Sequence, residues 1–219
     1  LPALALSLWA TFRTRSAFNK YSRVRTFRGL TGAQAARLML QSAGLNDIEI
    51  VQIPGTLSDH YSPLEKRLAL SEDVYASTSV AAVGVACHEA GHALQHANRY
   101  APLWLRSALV PTANIGSKFG YFGMLFGLIL HVQGLFLLGA LLFSAVVLFQ
   151  LVTLPVEYDA SNRAKRLAFE HGIVFDQERV GMAKVLDAAA LTYVAAAISS
   201  LMTLLYFLLR SGVLGGRRS

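Results

Sequence analysis

Two long apolar runs without a charged residue constrain the fold of this chain more than any other feature. Residues 135–154, LFLLGALLFSAVVLFQLVTL, are twenty uncharged residues, and residues 188–209, AAALTYVAAAISSLMTLLYFLL, are twenty-two. A helix of about 20 apolar residues spans the hydrocarbon core of a bilayer. We therefore expect both runs to form transmembrane helices.

Two weaker apolar segments complete the expected membrane part. Residues 111–130 are interrupted by Pro111, Asn114 and Lys118, but Lys118 lies near one end, from which its side chain can reach the membrane surface. Residues 1–12, LPALALSLWATF, are too short to cross a bilayer alone, so they form the end of a first span or an interfacial helix, and we favour the span. The composition, 54% apolar and only 15% charged, agrees with about four spans.

The distribution of basic residues predicts an orientation in the membrane. The net charge is +7, but the basic residues mostly flank apolar runs, so we interpret them as membrane-orienting charges and do not expect nucleic acid as a partner. Residues 13–106 contain eleven Lys and Arg and residues 163–184 contain five, against three from residue 210 onward. Since cytoplasmic loops carry the excess of positive charge, we expect residues 13–106 to face the cytoplasm. A single free cysteine, Cys87, agrees with that compartment.

Residues 13–106 have the mixed polarity of a folded α+β domain. Thr31 and Gln34 form a capping-box pattern at the start of a helix that stops near Gly44. Residues 48–53 and 67–71 are β-rich, and Pro54-Gly55 and Ser62-Pro63 mark turns, which predicts a hairpin or a three-stranded sheet.

The helix expected from Ser79 onward carries the pattern of a catalytic metal site. Its sequence, SVAAVGVACHEAGHALQH, places His88 and His92 four residues apart, so both imidazoles project on one face and can ligate one ion. Glu89 lies about 100° around the axis, beside the ion, where a carboxylate can deprotonate a bound water. This is the H-E-x-x-H pattern of zinc peptidases. The alternative, an ordinary polar patch, would bury an unpaired carboxylate on a helix of Ala, Val and Gly.

A catalytic zinc ion needs a third protein ligand. His96 is one turn too far, because three histidines on one helix face span about 12 Å. The better candidate is Glu157 in LPVEYDASNRAKR, directly after the 135–154 run, where Pro155 is expected to start a helix. The alternative role for Glu157 and Asp159 is that of an acidic helix N-terminus.

Several long segments resemble one peptidase family. These are FNKYSRVRTFRGLTGAQAAR, SDHYSPLEKRLALSEDVY, VACHEAGHALQH, APLWLRSALVPTANIGS and LFQLVTLPVEYDASNRA. The chain resembles the YugP-like family of bacterial membrane-bound neutral zinc metallopeptidases. It is more distantly similar to HtpX-type and CAAX-prenyl membrane peptidases of the gluzincin class. The resemblance implies a multi-pass protein of the bacterial cell membrane that hydrolyses peptide bonds with Zn²⁺.

The resemblance also implies roles for individual residues. His88 and His92 would be zinc ligands and Glu89 the catalytic glutamate. In the distant relatives the third ligand is the glutamate of an E-x-x-A-D pattern, which EYDAS matches at Glu157 but not at Ser161. An aspartate that orients the first histidine is therefore missing at that position, and Asp159 is a candidate to replace it.

Other parts of the expected mechanism rest on the residues alone. The strand at 67–71, RLALS, is expected to bind substrate as an added strand. His96, Tyr158 and Arg163 are candidates to stabilise the oxyanion. His60 and Tyr61 are expected to flank a turn.

We thus expect an α-helical membrane protein with about four transmembrane helices and a small α+β, zincin-like catalytic domain. The expected divisions are the end of a first span (1–12), the zincin-like domain (13–106), a transmembrane hairpin (107–154), a helical segment with the third ligand (155–187), a last transmembrane helix (188–209) and a basic tail (210–219). Expected partners are the lipid bilayer and a peptide or protein substrate; membrane protein partners and a homo-oligomer are left open.

Two other function classes compete with a peptidase. A zinc-binding membrane scaffold would keep the ligands without cleaving, and a transporter or channel would use the His/Glu cluster as an ion site. Few charges interrupt the apolar runs, which disfavours the transporter. Glu89 disfavours the scaffold, because a closed structural site needs no carboxylate beside an open coordination position.

Overall fold

The computed structural model describes residues 2–213 and shows a mainly helical chain with one small sheet. The helices are α1 (Pro2–Tyr21), α2 (Gly32–Ser42), α3 (Glu72–Tyr75), α4 (Val80–Ala97), α5 (Ala101–Ile115), α6 (Tyr121–Ile129), α7 (Gln133–Glu170) and α8 (Asp176–Arg210). A π-helical turn, Gly116–Gly120, joins α5 to α6. The strands are β1 (Glu49–Ile53), β2 (His60–Ser62) and β3 (Arg67–Ser71). Leu1 and residues 214–219, most of the predicted tail, lie outside the described residues.

Local capping signals place the helices of the first half as predicted. The Thr31 side chain accepts from the Gln34 backbone N–H at 3.2 Å, and the Gln34 side chain accepts from the Thr31 N–H at 2.9 Å. Gly44 has a φ of +74°, a left-handed conformation that ends α2 at little cost. Ser79 caps α4 by accepting from the backbone N–H of Ala82 at 3.2 Å. Both helices begin where the sequence predicts.

The predicted three-stranded sheet is present, but one expectation about it was wrong. The strand order is β1-β3-β2, with β3 parallel to β1 and antiparallel to β2. The strand RLALS is β3, which is hydrogen-bonded on both sides and offers no free edge to a substrate. His60 and Tyr61 form β2, which ends at Ser62 directly before the turn at residues 63–66.

A buried apolar core joins the sheet, α2, α4, the end of α7 and the start of α8. It is filled by side chains that are almost fully enclosed, among them Met39, Leu68, Leu70, Val83 and Met182. Burial of apolar area, worth about 25 cal/mol per Å², makes this the stabilising centre of the non-membrane part. α4 lies in its middle, which explains why this helix is apolar nearly all round.

The apolar half of the molecule presents large side chains to its surroundings. Among the described residues, α7 and α8 are the two helices long and apolar enough to cross a membrane. Exposed apolar side chains cover this half, including Phe119, Phe122, Leu138, Leu141 and Leu209. Such a surface is typical of contact with lipid rather than water.

Glycines bring α7 into close contact with the helical segment before it. A Cβ at Gly127 would lie 2.4 Å from the Phe136 nitrogen, and one at Gly139 would lie 2.4 Å from the Met124 nitrogen. Gly116, Gly120 and Gly123 repeat this packing along the same face. Small residues are the usual means of helix association in membranes, and their spacing in GSKFGYFGMLFG is a signal that the sequence analysis missed.

The predicted division boundaries at 12, 106, 154 and 187 all fall inside helices, namely α1, α5, α7 and α8. Pro155 in particular does not start a helix but lies within α7. Proline inside a helix leaves the carbonyl four residues before it, here that of Leu151, without its usual N–H donor, and helices in membranes tolerate this loss more readily than those in water. The two halves of the molecule therefore share continuous helices.

Candidate metal centre

The close approach of α4 to α7 builds the candidate metal centre. A Cβ at Gly91 would lie 2.6 Å from the carbonyl oxygen of Ala160, so only glycine allows the two backbones to pack at this distance. Gly91 lies between His88 and His92 in sequence, and Ala160 lies three residues after Glu157. The crossing therefore sets the two histidines against the glutamate.

The three predicted ligands meet at this crossing. The distance from His88 Nε2 to Glu157 Oε2 is 3.2 Å, and that from His92 Nε2 to the same oxygen is 3.5 Å. The three ligand atoms lie within 4.8 Å of one another. In a tetrahedral zinc site with bonds near 2.0–2.1 Å, ligand atoms are separated by about 3.3 Å. The two nitrogens and one oxygen are donor types that Zn²⁺ takes, and the two distances to Glu157 Oε2 are close to this separation.

The electrostatics of the cluster follow from burial and from the carboxylate. Burial alone would raise the pKa of Glu157, which is only 2% exposed, but hydrogen bonds with His88 and His92 hold it well below its ordinary value. Burial alone would lower the pKa of His92, but Glu157 and Glu89 outweigh it and raise that pKa. The Glu157 carboxylate and the His92 imidazole thus each favour the charged form of the other.

Gln95 fixes the orientation of His92. Its amide N–H groups donate to the Val156 carbonyl at 2.7 Å and to Asp159 Oδ2 at 2.8 Å. Its Oε1 lies 3.0 Å from His92 Nδ1. Because both amide hydrogens are engaged, Oε1 accepts from Nδ1–H, which leaves the lone pair of His92 Nε2 directed at the cluster.

A different residue supports His88. Its Nδ1 lies 3.1 Å from the Ser161 hydroxyl. Asp159 does not orient this histidine, contrary to expectation; it binds Gln95 and pairs with Arg163 at 2.6 Å. Asp159 lies two residues before Ser161, so about 200° of helical rotation separates their side chains. Ser161, where the distant relatives have aspartate, occupies the orienting position.

Two cavities flank the cluster and form one cleft across it. A cavity of about 350 Å³ lies between α1, α4 and α8, with apolar walls that include Phe18, Val85 and Leu186. A cavity of about 180 Å³ lies between β2, α4 and α5. Both are lined by Asp59, Glu89, Glu157 and Tyr193. Glu89 is 9% exposed and lies outside the group of three ligands, as the motif predicts for a carboxylate beside the ion.

Three of the expected polar residues do not line this cleft. His96 is held by the Tyr61 hydroxyl, 2.9 Å from its Nδ1, outside the cluster. Tyr158 is exposed on another face of α7, since one residue after Glu157 means a rotation of about 100°. Arg163 is engaged with Asp159. The expectation that they stabilise the oxyanion is not supported by their positions.

Two residues that the sequence analysis missed occupy the cleft instead. Arg106, from α5, places Nη2 3.7 Å from Glu157 Oε1, and its buried Nε has no hydrogen-bond partner among the described residues. Tyr193, from α8, lines both cavities. A tyrosine inside the uncharged run 188–209 was the available signal for Tyr193. Nothing local distinguishes Arg106 from the other basic residues.

Comparison with known proteins identifies the class. Residues 1–212 match the model of the family described as "Putative neutral zinc metallopeptidase", and the chain belongs to this family. It is similar to a protein of Bacillus subtilis (strain 168) named "Putative membrane protease YugP", with 47% identity over 209 residues that cover 95% of this chain and 93% of that protein. No solved structure shows a significant match. The family resemblance drawn from the sequence is confirmed.

Proposed function

We propose that this protein is a zinc metalloendopeptidase, embedded in the bacterial cell membrane, that hydrolyses peptide bonds of proteins or peptides near the membrane surface. The observation that carries the proposal is the spacing of His88, His92 and Glu157, with Glu89 beside them in an open cleft. The family and the similar Bacillus subtilis protein support peptidase chemistry.

The side chains divide the chemistry among them. His88, His92 and Glu157 would hold Zn²⁺, which when bound supplies a Lewis acid that polarises a carbonyl and acidifies water. Glu89 accepts the proton of the attacking water and delivers it to the leaving amine. Tyr193 and Arg106 are placed to donate hydrogen bonds to the oxygen that becomes negative in the transition state.

The shape of the cleft favours an extended substrate. β2 is an end strand of the sheet and lines the smaller cavity through His60 and Tyr61, so a peptide can pair with it as an added strand. The larger cavity accepts an apolar side chain next to the scissile bond. It is lined by Ala189, Ala190 and Thr192 of the uncharged run of α8, which is why we propose cleavage near the membrane surface.

We further propose four spans around a gluzincin-like centre. The first half of α7 and the second half of α8 would be two of them, and α1 and the continuous helix α5–α6 the others. The Lys and Arg distribution, sixteen against three, supports a cytoplasmic metal centre.

Labelling of introduced cysteines tests this orientation. Burial raises the pKa of Cys87 to about 12, so the native thiol is unreactive, and Cys87→Ala removes it altogether. In that background, Gln133→Cys should react with a membrane-impermeant thiol reagent on intact cells and Ser62→Cys should not. Labelling at residue 62 with protection at residue 133 would invert the topology.

The decisive experiment separates a peptidase from a zinc-binding scaffold. Purified full-length Glu89→Gln protein should keep one zinc per chain while cleavage of an unfolded test protein falls by about 10²–10⁴-fold. Glu72→Gln, an exposed change away from the cleft, is the matched control. Full turnover by zinc-loaded Glu89→Gln protein would refute the general base. A zinc-loaded wild type that never cleaves would favour the scaffold.

A further inference from the structure

A further cavity, separate from the two at the metal centre, is lined by basic side chains. It has a volume of about 640 Å³ and lies between α1, α7 and α8. Arg13 and Lys20 of α1 and Lys184 of α8 line it, and none of them has a carboxylate within ion-pair distance in the described chain. The one acidic residue in its wall, Asp187, pairs with Lys165 at 2.9 Å. The cavity therefore combines three uncompensated positive charges.

The cavity lies where its helices change from apolar to charged. α1 is uncharged up to Phe12, and the uncharged run of α8 begins after Asp187. The Thr14 hydroxyl donates to the Ala188 carbonyl at 2.8 Å, which fixes these two transitions at the same level. α7 contributes Tyr158, four residues after its own run ends at residue 154. Two transitions thus lie at one level and the third lies about one helical turn away, which is the expected position of a membrane surface.

The walls of the cavity also change from apolar to polar along the direction of these helices. Phe12 and Leu191 form the part nearest the apolar half, whereas Lys20, Tyr21 and Lys184 lie towards the polar half. Tyr21 and Tyr158 add hydroxyl groups that can donate to an anion. Outside the cavity, Trp9 is half-exposed, with the Arg13 guanidinium 6.0 Å from its ring centroid. Tryptophan at this level is typical of the membrane interface.

We propose that this cavity binds the headgroup of an anionic phospholipid. The phosphate would contact Arg13, Lys20 and Lys184, and an acyl chain would run along Phe12 and Leu191 towards the apolar half. An acidic peptide would satisfy the charges but not the apolar wall, which is continuous with the lipid-facing surface. The site requires no metal and no peptidase activity, so it stands independently of the proposed function.

Native mass spectrometry of the full-length protein in neutral detergent tests this site. Short-chain phosphatidylglycerol is titrated against phosphatidylcholine of the same chain length, and glycerol phosphate is added as a soluble competitor. We expect selective binding of phosphatidylglycerol. The triple variant Arg13→Gln/Lys20→Gln/Lys184→Gln should weaken this binding on the order of a hundredfold, because each basic residue near an anionic surface contributes about a fivefold gain in affinity. Millimolar glycerol phosphate should not displace the lipid.

A matched control removes the same charge elsewhere. Arg23→Gln/Arg99→Gln/Arg166→Gln changes three exposed basic residues that do not line the cavity, and its affinity should stay within about twofold of wild type. Equal weakening by both triple variants, or no weakening by the first, would overturn the site. Displacement by glycerol phosphate would reduce it to a site for free phosphate, and equal binding of phosphatidylcholine would refute its charge selectivity.

Discussion

The two halves of α7 have opposite distributions of apolar and polar side chains, although they form one continuous helix. In residues 133–154 the large side chains Leu138, Leu141 and Leu148 face outward, while Gly139 and Ala140 face the neighbouring helices. In residues 155–170 the helix buries Glu157 and Ser161 instead. The outward surface of the first half is suited to apolar surroundings. The second half is suited to water on its outward surface and to a polar centre on its buried surface.

The comparison shows one packing device used for two purposes. At Gly139 the backbones of α7 and the preceding helix meet so closely that a Cβ would lie 2.4 Å from a backbone nitrogen, and the result is helix association. At Gly91 a similar approach to Ala160 sets the positions of the proposed metal ligands. Because the helix has no break between the halves, Glu157 lies on a helix that is long and apolar enough to cross a membrane.

The largest expected effect comes from removing that ligand. Glu157→Ala should reduce zinc affinity by well over the hundredfold loss typical of changes around the ligands, and should lower the unfolding temperature, because metal binding energy stabilises the folded state. Zinc titration and thermal unfolding in detergent measure both. Glu170→Ala, at the exposed end of the same helix, should change neither by much. Normal zinc affinity in Glu157→Ala protein would remove Glu157 from the ligand set.

Replacing one close-packed glycine by alanine at the metal centre and one in the apolar half compares the two packing contacts directly. Gly91→Ala must push α4 from α7, so we expect zinc affinity to fall roughly tenfold or more. Gly139→Ala should lower the unfolding temperature, since overpacking costs about 1–3 kcal/mol, but leave zinc affinity within about twofold. Equal losses of zinc affinity in the two variants would show that the halves are not separable in this way.

The sequence predicted those parts of the molecule that depend on local patterns. Each of these patterns extends over only a few residues: the caps at Thr31 and Ser79, the spacing of His88 and His92, and the position of Glu157 after an apolar run. Apolarity located the two helices that are long and apolar enough to cross a membrane, but not their ends, because a helix can continue past the last apolar residue. That is why every predicted division boundary inside the described chain except the last fell well within a helix.

The rest of the site depends on contacts between distant segments. Arg106 lies on α5 and Tyr193 on α8, and both reach the site only because these helices pack beside α4 and α7. No spacing rule in the sequence connects them to the motif. Gln95 lies near the end of α4, and both of its acceptors belong to α7, a helix that begins almost forty residues later. Ser161 appeared as a departure from a pattern, yet it contacts the histidine that the pattern predicts.

The smallest expected effects distinguish the supports of the two histidines. Gln95→Leu removes the acceptor of His92 Nδ1–H and the two hydrogen bonds that hold the amide against α7, so zinc affinity should fall about ten- to a hundredfold. Ser161→Ala removes a single neutral hydroxyl beside His88 and should cost about tenfold at most. Competition with a chelator measures both affinities on folded protein, verified by unfolding temperature. Gln95→Glu is the discriminating third variant, since it keeps an acceptor for His92 but places a second carboxylate beside Asp159. A larger loss in Ser161→Ala than in Gln95→Leu would mean that His88, not His92, is the histidine whose orientation limits metal binding.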